Sequence, residues 1–237
     1  MRKSLFRFKK FDCHHGSGSM KIGVDAVLVG AWADVSGAGT ILDVGTGCGV
    51  IALMCAQRNE SARVYGIDVD AASVAEAEGN FCGCPWHERL EAKLEDFNNI
   101  TLNDIDLIIS NPPYFESGVI HPDSPRMVAR HKDNLSPEAL LTRGCEYLSD
   151  TGRIAMIVPS EQYRHLLDVA HDAGLVAVRA AWVRGHLAAP VKRVLIEFSR
   201  IGDEIDEAHI PLLTLENVPG EPTDEHRVLC RDFYLKF

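Results

Sequence analysis

The sequence predicts a doubly wound α/β fold: a mostly parallel seven-stranded sheet, helices on both faces, and an antiparallel hairpin at the sheet edge. Three observations predict it. Short β-branched apolar runs alternate with stretches of helical spacing through the middle of the chain. Single helices separate successive strands, which implies right-handed crossovers and therefore parallel pairing. A glycine-rich loop follows the first strong strand, where open α/β sheets bind ligands.

Each element has its own warrant. Residues 1–20 form a basic arm in which LFRFKKF (5–11) alternates aromatic and basic positions, as a solvated arm or an edge strand would. Val24, Val27, Leu28 and Ala31 have the spacing of a lead-in helix. TILDV (40–44) is a β-rich run ending in glycines, and VIALMCAQ (50–57) reads as the next helix. A second strand over 63–69 and an Ala-rich helix over 71–81 follow, then a short third strand before Leu94. IDLIIS (105–110) is the strongest strand. Ser136 as N-cap and Pro137 at the first helical position open a helix to about residue 148. RIAMIV (153–158) is a strand, and Tyr163, Leu166, Leu167 and Ala170 line one face of a helix over 161–173. Runs at 177–183 and 193–199 lack a helix between them and so pair antiparallel at the edge. The expected organisation is one domain over 1–237: arm 1–20, core 21–200, C-terminal extension 201–237.

Composition narrows the function. With 46% apolar and 24% charged residues the chain is of ordinary globular type, which excludes disordered and collagen-like classes. No run is long enough to span a bilayer, and the N-terminus lacks the apolar core of a secretory signal, so the expected compartment is the cytoplasm. Seven scattered cysteines suit reduced thiols, and Cys13-His14-His15 with Cys82-Gly-Cys84 does not fit zinc-ligand spacing, so no metal is expected. Net charge is −10, yet residues 1–21 carry six basic residues against Asp12 alone. A basic arm on an acidic body can meet phosphates.

The loop Asp43-Val-Gly-Thr-Gly-Cys-Gly49 places Gly45, Gly47 and Gly49 in G-x-G-x-G spacing, unlike the dinucleotide G-x-G-x-x-G. Asp43 precedes it, and Asp68 ends the second strand. An acid at Asp68 can accept hydrogen bonds from both hydroxyls of an adenosine ribose. Asp43 can orient an amino group. The alternatives are a turn-capping Asp43 and an Asp68 that caps the next helix. This set resembles the class I S-adenosylmethionine-dependent methyltransferases, whose fold is Rossmann-like, over about residues 20–200. The resemblance implies S-adenosylmethionine as cofactor, Asp96 on the adenine amino group and Phe97 beside the ring.

Directly after IDLIIS comes Asn111-Pro112-Pro113-Tyr114. Two prolines stiffen the backbone, and the first biases Asn111 to an extended conformation. Carbonyls of Asn111 and Pro112 could accept both N–H bonds of a planar exocyclic amino group, while Tyr114 stacks on the base. This matches the N-P-P-Y motif of methyltransferases acting on adenine N6, cytosine N4 or glutamine N5.

The flanks select among these. Only about 40 residues precede Asp43, too few for the helical domain of release-factor glutamine methyltransferases, and there is no room for a DNA target-recognition domain. The stretch MKIGVDAVLVGAW (20–32), NPPYF (111–115), the loop from Arg126 to Arg130 and KRVLIEF (192–198) together resemble the bacterial tRNA(Val) adenine-N6-methyltransferase family. That resemblance covers nearly the whole chain. It implies methylation of adenine 37 beside the anticodon, with Lys21 and Asp25 in a segment folding over the cofactor. Arg7, Lys9, Lys10, Arg126, Arg130 and Arg193 are candidate phosphate contacts, and no obligatory protein partner is inferred. A noncatalytic module that binds cofactor or RNA stays as the alternative of a different class.

Overall fold

The computed structural model describes residues 4–16, 19, 21–113 and 135–237. Its main sheet contains β3 (Thr40–Val44), β4 (Arg63–Asp68), β5 (Leu90–Leu94), β6 (Ile105–Ser110), β7 (Leu148–Pro159), β8 (Val176–His186), β9 (Val191–Ser199), β10 (Leu212–Val218) and β11 (Glu221–Pro222). They lie in the order β11-β10-β8-β9-β7-β6-β3-β4-β5. β7, β6, β3, β4 and β5 run parallel, and β9 is antiparallel to both β7 and β8. The sheet therefore has nine strands where the sequence predicts seven. The two additions come from the acidic extension, where β10 pairs parallel with β8. The β8–β9 hairpin consequently lies inside the sheet and not at its edge.

Alternation along each strand divides the core into two layers. Ile41, Leu107, Ile109, Ala155, Ile157 and Leu195 face α1 (Val24–Trp32) and α2 (Val50–Arg58), with Ala77 and Phe81 of α3 (Ala71–Cys82) beside them. Leu42, Ile108, Ile154, Met156 and Ile196 face α4 (Pro137–Tyr147) and α5 (Tyr163–Asp172). Burial on both faces explains why β6 reads as an almost unbroken apolar run. Ser136 caps α4 by accepting the Ala139 N–H at 3.1 Å, with Pro137 in the first turn. The helix expected from residue 161 opens instead with a 3-10 turn, Ser160–Gln162.

The basic arm is folded. β1 (Ser4–Arg7) and β2 (Asp12–His15) form an antiparallel hairpin separate from the main sheet. Phe8, Phe11 and Cys13 are buried in the same layer as Cys230 and Phe233, which belong to and follow α6 (Asp224–Cys230). Phe8 bridges Tyr234, so the two ends of the chain close on each other. Among the described residues, no helix is long and apolar enough to cross a membrane.

Candidate functional site

Strand order reverses at β3: β4 and β5 lie on one side, β6 and β7 on the other. The crevice beyond the carboxyl ends of β3 and β6 is the topological switch point, where open sheets bind ligands. Val44 pairs with Ile67 of β4 and with Ser110 of β6. Gly45, Asp68 and Asn111 therefore leave the sheet side by side.

The loop from β3 to α2 needs its glycines for conformation and for space. Gly45, Gly47 and Gly49 have φ of +71°, +56° and +81°, a region that other residues adopt at a cost. A Cβ on Gly49 would stand 2.4 Å from Cε1 of Phe81. The N–H groups of Gly45 and Thr46 both donate to the Ile67 carbonyl at 2.9 Å, fixing the turn.

Asp43 is wholly buried. Its Oδ2 accepts from Thr46 Oγ1 at 2.6 Å and from the Ala52 N–H, in the first turn of α2, at 3.1 Å. Its Oδ1 is buried with no hydrogen-bond partner. Burial pushes the carboxyl up to about 7, against the pull of those two hydrogen bonds, and the nearby Asp68 adds to the rise. Asp68, 5% exposed, accepts the Gly47 N–H on Oδ2 and the Asp70 N–H on Oδ1, each at 3.0 Å. The N-cap of α3 is Asp70, which accepts the Ser73 N–H. Asp68 thus braces the glycine loop, and each of its oxygens keeps a further lone pair.

On the other side of β3, Pro112 is buried while Asn111 and Pro113 are partly exposed. Tyr114, Arg126 and Arg130 lie outside the described residues. A ligand held by the loop and a group held by Asn111 would meet across neighbouring strands.

The model of the methyltransferase small domain family matches residues 25–179. The tRNA1(Val) (adenine(37)-N6)-methyltransferase of Bacteroides fragilis is 40% identical over 240 residues, covering 100% of both chains. The same-named protein of Trichodesmium erythraeum is 39% identical over 246 residues, again with 100% of each chain covered. This chain belongs to that methyltransferase family. A solved structure, a predicted O-methyltransferase of Agrobacterium tumefaciens, superposes with a TM-score of 0.64 at 15% identity, over 88% of this chain and 96% of that one. At such identity the likeness concerns the fold alone, which is that of the class I methyltransferases.

The matched methyltransferase region begins after the hairpin, yet the hairpin touches the loop. Asn80 of α3 donates through Nδ2 to the carbonyls of His14 and Cys48, both at 2.8 Å, and accepts the His14 N–H through Oδ1. Cys13 and Cys48 bring their Sγ atoms to 3.7 Å. The N–H and Oγ of Ser19 both donate to Glu76 Oε2, at 3.0 and 2.6 Å. A Cβ on Gly47 would lie 3.6 Å from that of Ser19. The N-terminal segment therefore lies against the loop of the methyltransferase fold.

Other sequence-selected residues are placed as follows. Lys21 is exposed. Asp25 and Arg193, assigned to cofactor and RNA respectively, face each other, with Nε donating to Oδ2 at 3.0 Å. Asp96 accepts from the N–H and Nδ2 of Asn98, each at 2.9 Å, and opens the 3-10 turn Phe97–Asn99. Phe97 is 4% exposed and packs edge-on against Tyr147, so its ring belongs to the core layer of α4. Arg7 and Lys10 are exposed on the hairpin. Lys9 is also exposed, and its Nζ donates to the Phe237 main-chain oxygen at 2.7 Å and to that of Arg231. Thr46, Asn80, Glu76 and Ser110 escaped the sequence reading. Only Thr46 carries a local signal, three residues after Asp43 as in a side-chain-capped turn.

Proposed function

We propose that this methyltransferase transfers the methyl group of S-adenosylmethionine to N6 of adenine 37 in tRNA1(Val), in the cytoplasm. The observation that carries the reading is the adjacency of the two strand ends: Val44, which opens the glycine loop, pairs with Ser110, which precedes Asn111. The full-length relatives bearing that name supply the base and the RNA. The seven cysteines are free thiols, in keeping with a reducing compartment.

The residues fit this cofactor. The buried, unpartnered Asp43 Oδ1 is an acceptor awaiting a donor, and Asp68 has lone pairs for ribose hydroxyls. Gly45, Gly47 and Gly49 bring backbone close to a ligand with no side chain between. When bound, the cofactor supplies an electrophilic methyl group. The chain's own residues position the amino group. The side-chain carbonyl of Asn111 and the main-chain carbonyl of Pro112 accept hydrogen bonds from its two N–H groups, which turns the nitrogen lone pair out of conjugation. The methylated, cationic nitrogen then releases one proton to water. Tyr114 stacks on the base, which in an anticodon loop is already accessible and costs little to extrude. Orientation then supplies much of the rate without a strong general base.

The test incubates the protein with labelled S-adenosylmethionine and, separately, total tRNA, a DNA duplex and a release factor, then digests the labelled product. N6-methyladenosine in tRNA1(Val) is expected. Asn111→Ala should abolish transfer and leave cofactor affinity within about threefold. Label in DNA or the release factor, or turnover retained by Asn111→Ala, would sink the assignment.

A further inference from the structure

We propose that Ser110 is a positioning residue for methyl transfer, setting the reach between the glycine loop and Asn111; the inference rests on the function proposed above. Its hydroxyl donates to the Val44 carbonyl at 2.8 Å. The two residues are paired across β6 and β3, and each is the last of its strand. Val44 is followed by Gly45 and Ser110 by Asn111, so one hydrogen bond joins the roots of the two functional segments. It is sealed from water, with Ser110 1% and Val44 2% exposed.

The hydroxyl adds a side-chain tie at the level where the β3–β6 ladder ends. Pro112 and Pro113 have no N–H, so β6 cannot extend its pairing with β3 through them. On the opposite side β3 needs no such help, since the N–H groups of Gly45 and Thr46 both reach the Ile67 carbonyl of β4. The loop is therefore pinned to β4 by backbone, and its tie to β6 at this level includes the Ser110 hydroxyl. An alanine would remove this side-chain tie and leave only the backbone ladder to set how the two strand ends lie against each other. Reacting atoms misplaced by about 1 Å lose roughly 100-fold in rate. Ser110 touches neither cofactor nor base and acts through Asn111.

The experiment compares Ser110→Ala and Ser110→Thr with the wild-type protein and with Asn111→Ala. Four quantities are measured: kcat and KM on tRNA1(Val), Kd for S-adenosylhomocysteine by calorimetry, and thermal midpoint. Ser110→Ala is expected to lose about 10- to 100-fold in kcat, with KM and Kd within about threefold of wild type. Ser110→Thr, which keeps the hydroxyl, should recover most of the rate. The proposal is overturned by a folded Ser110→Ala with kcat within twofold of wild type. Parallel loss of Kd, thermal midpoint and kcat in both variants also overturns it, since that is the signature of a merely structural residue. Absence of turnover in the wild-type control would overturn the function itself, and this inference with it.

Discussion

Asp43→Asn isolates the energetic consequence of placing an acid inside the glycine loop. The carboxyl rises from an ordinary aspartate value of about 3.9 to about 7 because burial disfavours its charged form. Between these values the folded chain holds a proton that the unfolded chain has released. Stability therefore falls as pH rises through this window and levels off above 7. A difference of roughly three pKa units corresponds to about 4 kcal/mol, an order-of-magnitude figure. Asparagine keeps an oxygen for Thr46 Oγ1 and the Ala52 N–H, and its amide nitrogen falls where Oδ1 has no partner. It mimics the protonated acid at every pH.

The assay is denaturant unfolding of cofactor-free wild-type and Asp43→Asn protein from pH 4 to pH 8.5. Other titrating groups cancel in the difference between the two. That difference should shift in favour of the variant by up to about 4 kcal/mol, with the change concentrated between pH 4 and 7. A difference flat to within about 0.5 kcal/mol across the range would refute the reasoning. Binding of a cationic ligand should reverse the balance, because it favours the ionised carboxylate and so tightens as pH rises through 7.

Three further perturbations probe the loop and the hairpin. Gly49→Ala combines a positive φ, about 1–2 kcal/mol for an L side chain, with overpacking against buried Phe81, about 1–3 kcal/mol. A lowered thermal midpoint and weaker cofactor binding are expected, partly recovered by adding Phe81→Leu; a neutral Gly49→Ala would contradict the contact. Phe8→Ala should cost roughly 3–5 kcal/mol on unfolding, as for a core aromatic, whereas Arg7→Ser with Lys10→Ser should leave stability unchanged. If the exposed pair meets RNA, the double variant raises KM for tRNA and flattens its salt dependence; identical salt curves would remove the hairpin from the RNA interface.

The sequence makes legible those features that local pattern encodes. The nearly unbroken apolar run of IDLIIS, the Ser136-Pro137 helix start and the acid-glycine spacing each follow from nearest-neighbour physics, and the elements occur where these signals lie. What escaped depends on contacts distant in sequence. LLTLENV alternates like a strand, but only the docking of β10 along β8 makes it one, and surrounding acids masked it. The aromatic residues of LFRFKKF read equally as a solvated arm, and Phe233 and Tyr234 more than 200 positions away decide the matter. Lys9 illustrates the limit of charge counting. Its ammonium is exposed yet hydrogen-bonded to main-chain oxygens near the chain's end, so its geometry is set by the fold and not by a solvated arm. Arg193 likewise faces Asp25, whose carboxylate offsets its charge.

The same loop geometry bears on which ligands the site refuses. A helix N-terminus after a glycine turn ordinarily attracts phosphate, through free N–H groups and the positive end of the helix dipole. Here the Ala52 N–H in the first turn of α2 is already taken by Asp43, and Gly47 N–H by Asp68. Two acids occupy the positions where a phosphate would find donors, and a dianion brought there would meet repulsion in a dry environment. The loop should accordingly discriminate by charge more than by the adenosine moiety the ligands share. S-adenosylhomocysteine, which keeps an ammonium group, is expected to raise the thermal midpoint in a concentration-dependent way, while ATP and AMP at the same concentrations leave it unmoved. Asp43→Asn should narrow the gap by weakening the first without rescuing the others, because Asp68 remains. Stabilisation by ATP equal to that by S-adenosylhomocysteine would mean that the two carboxylates do not face the ligand, and the assignment of the loop would have to be abandoned.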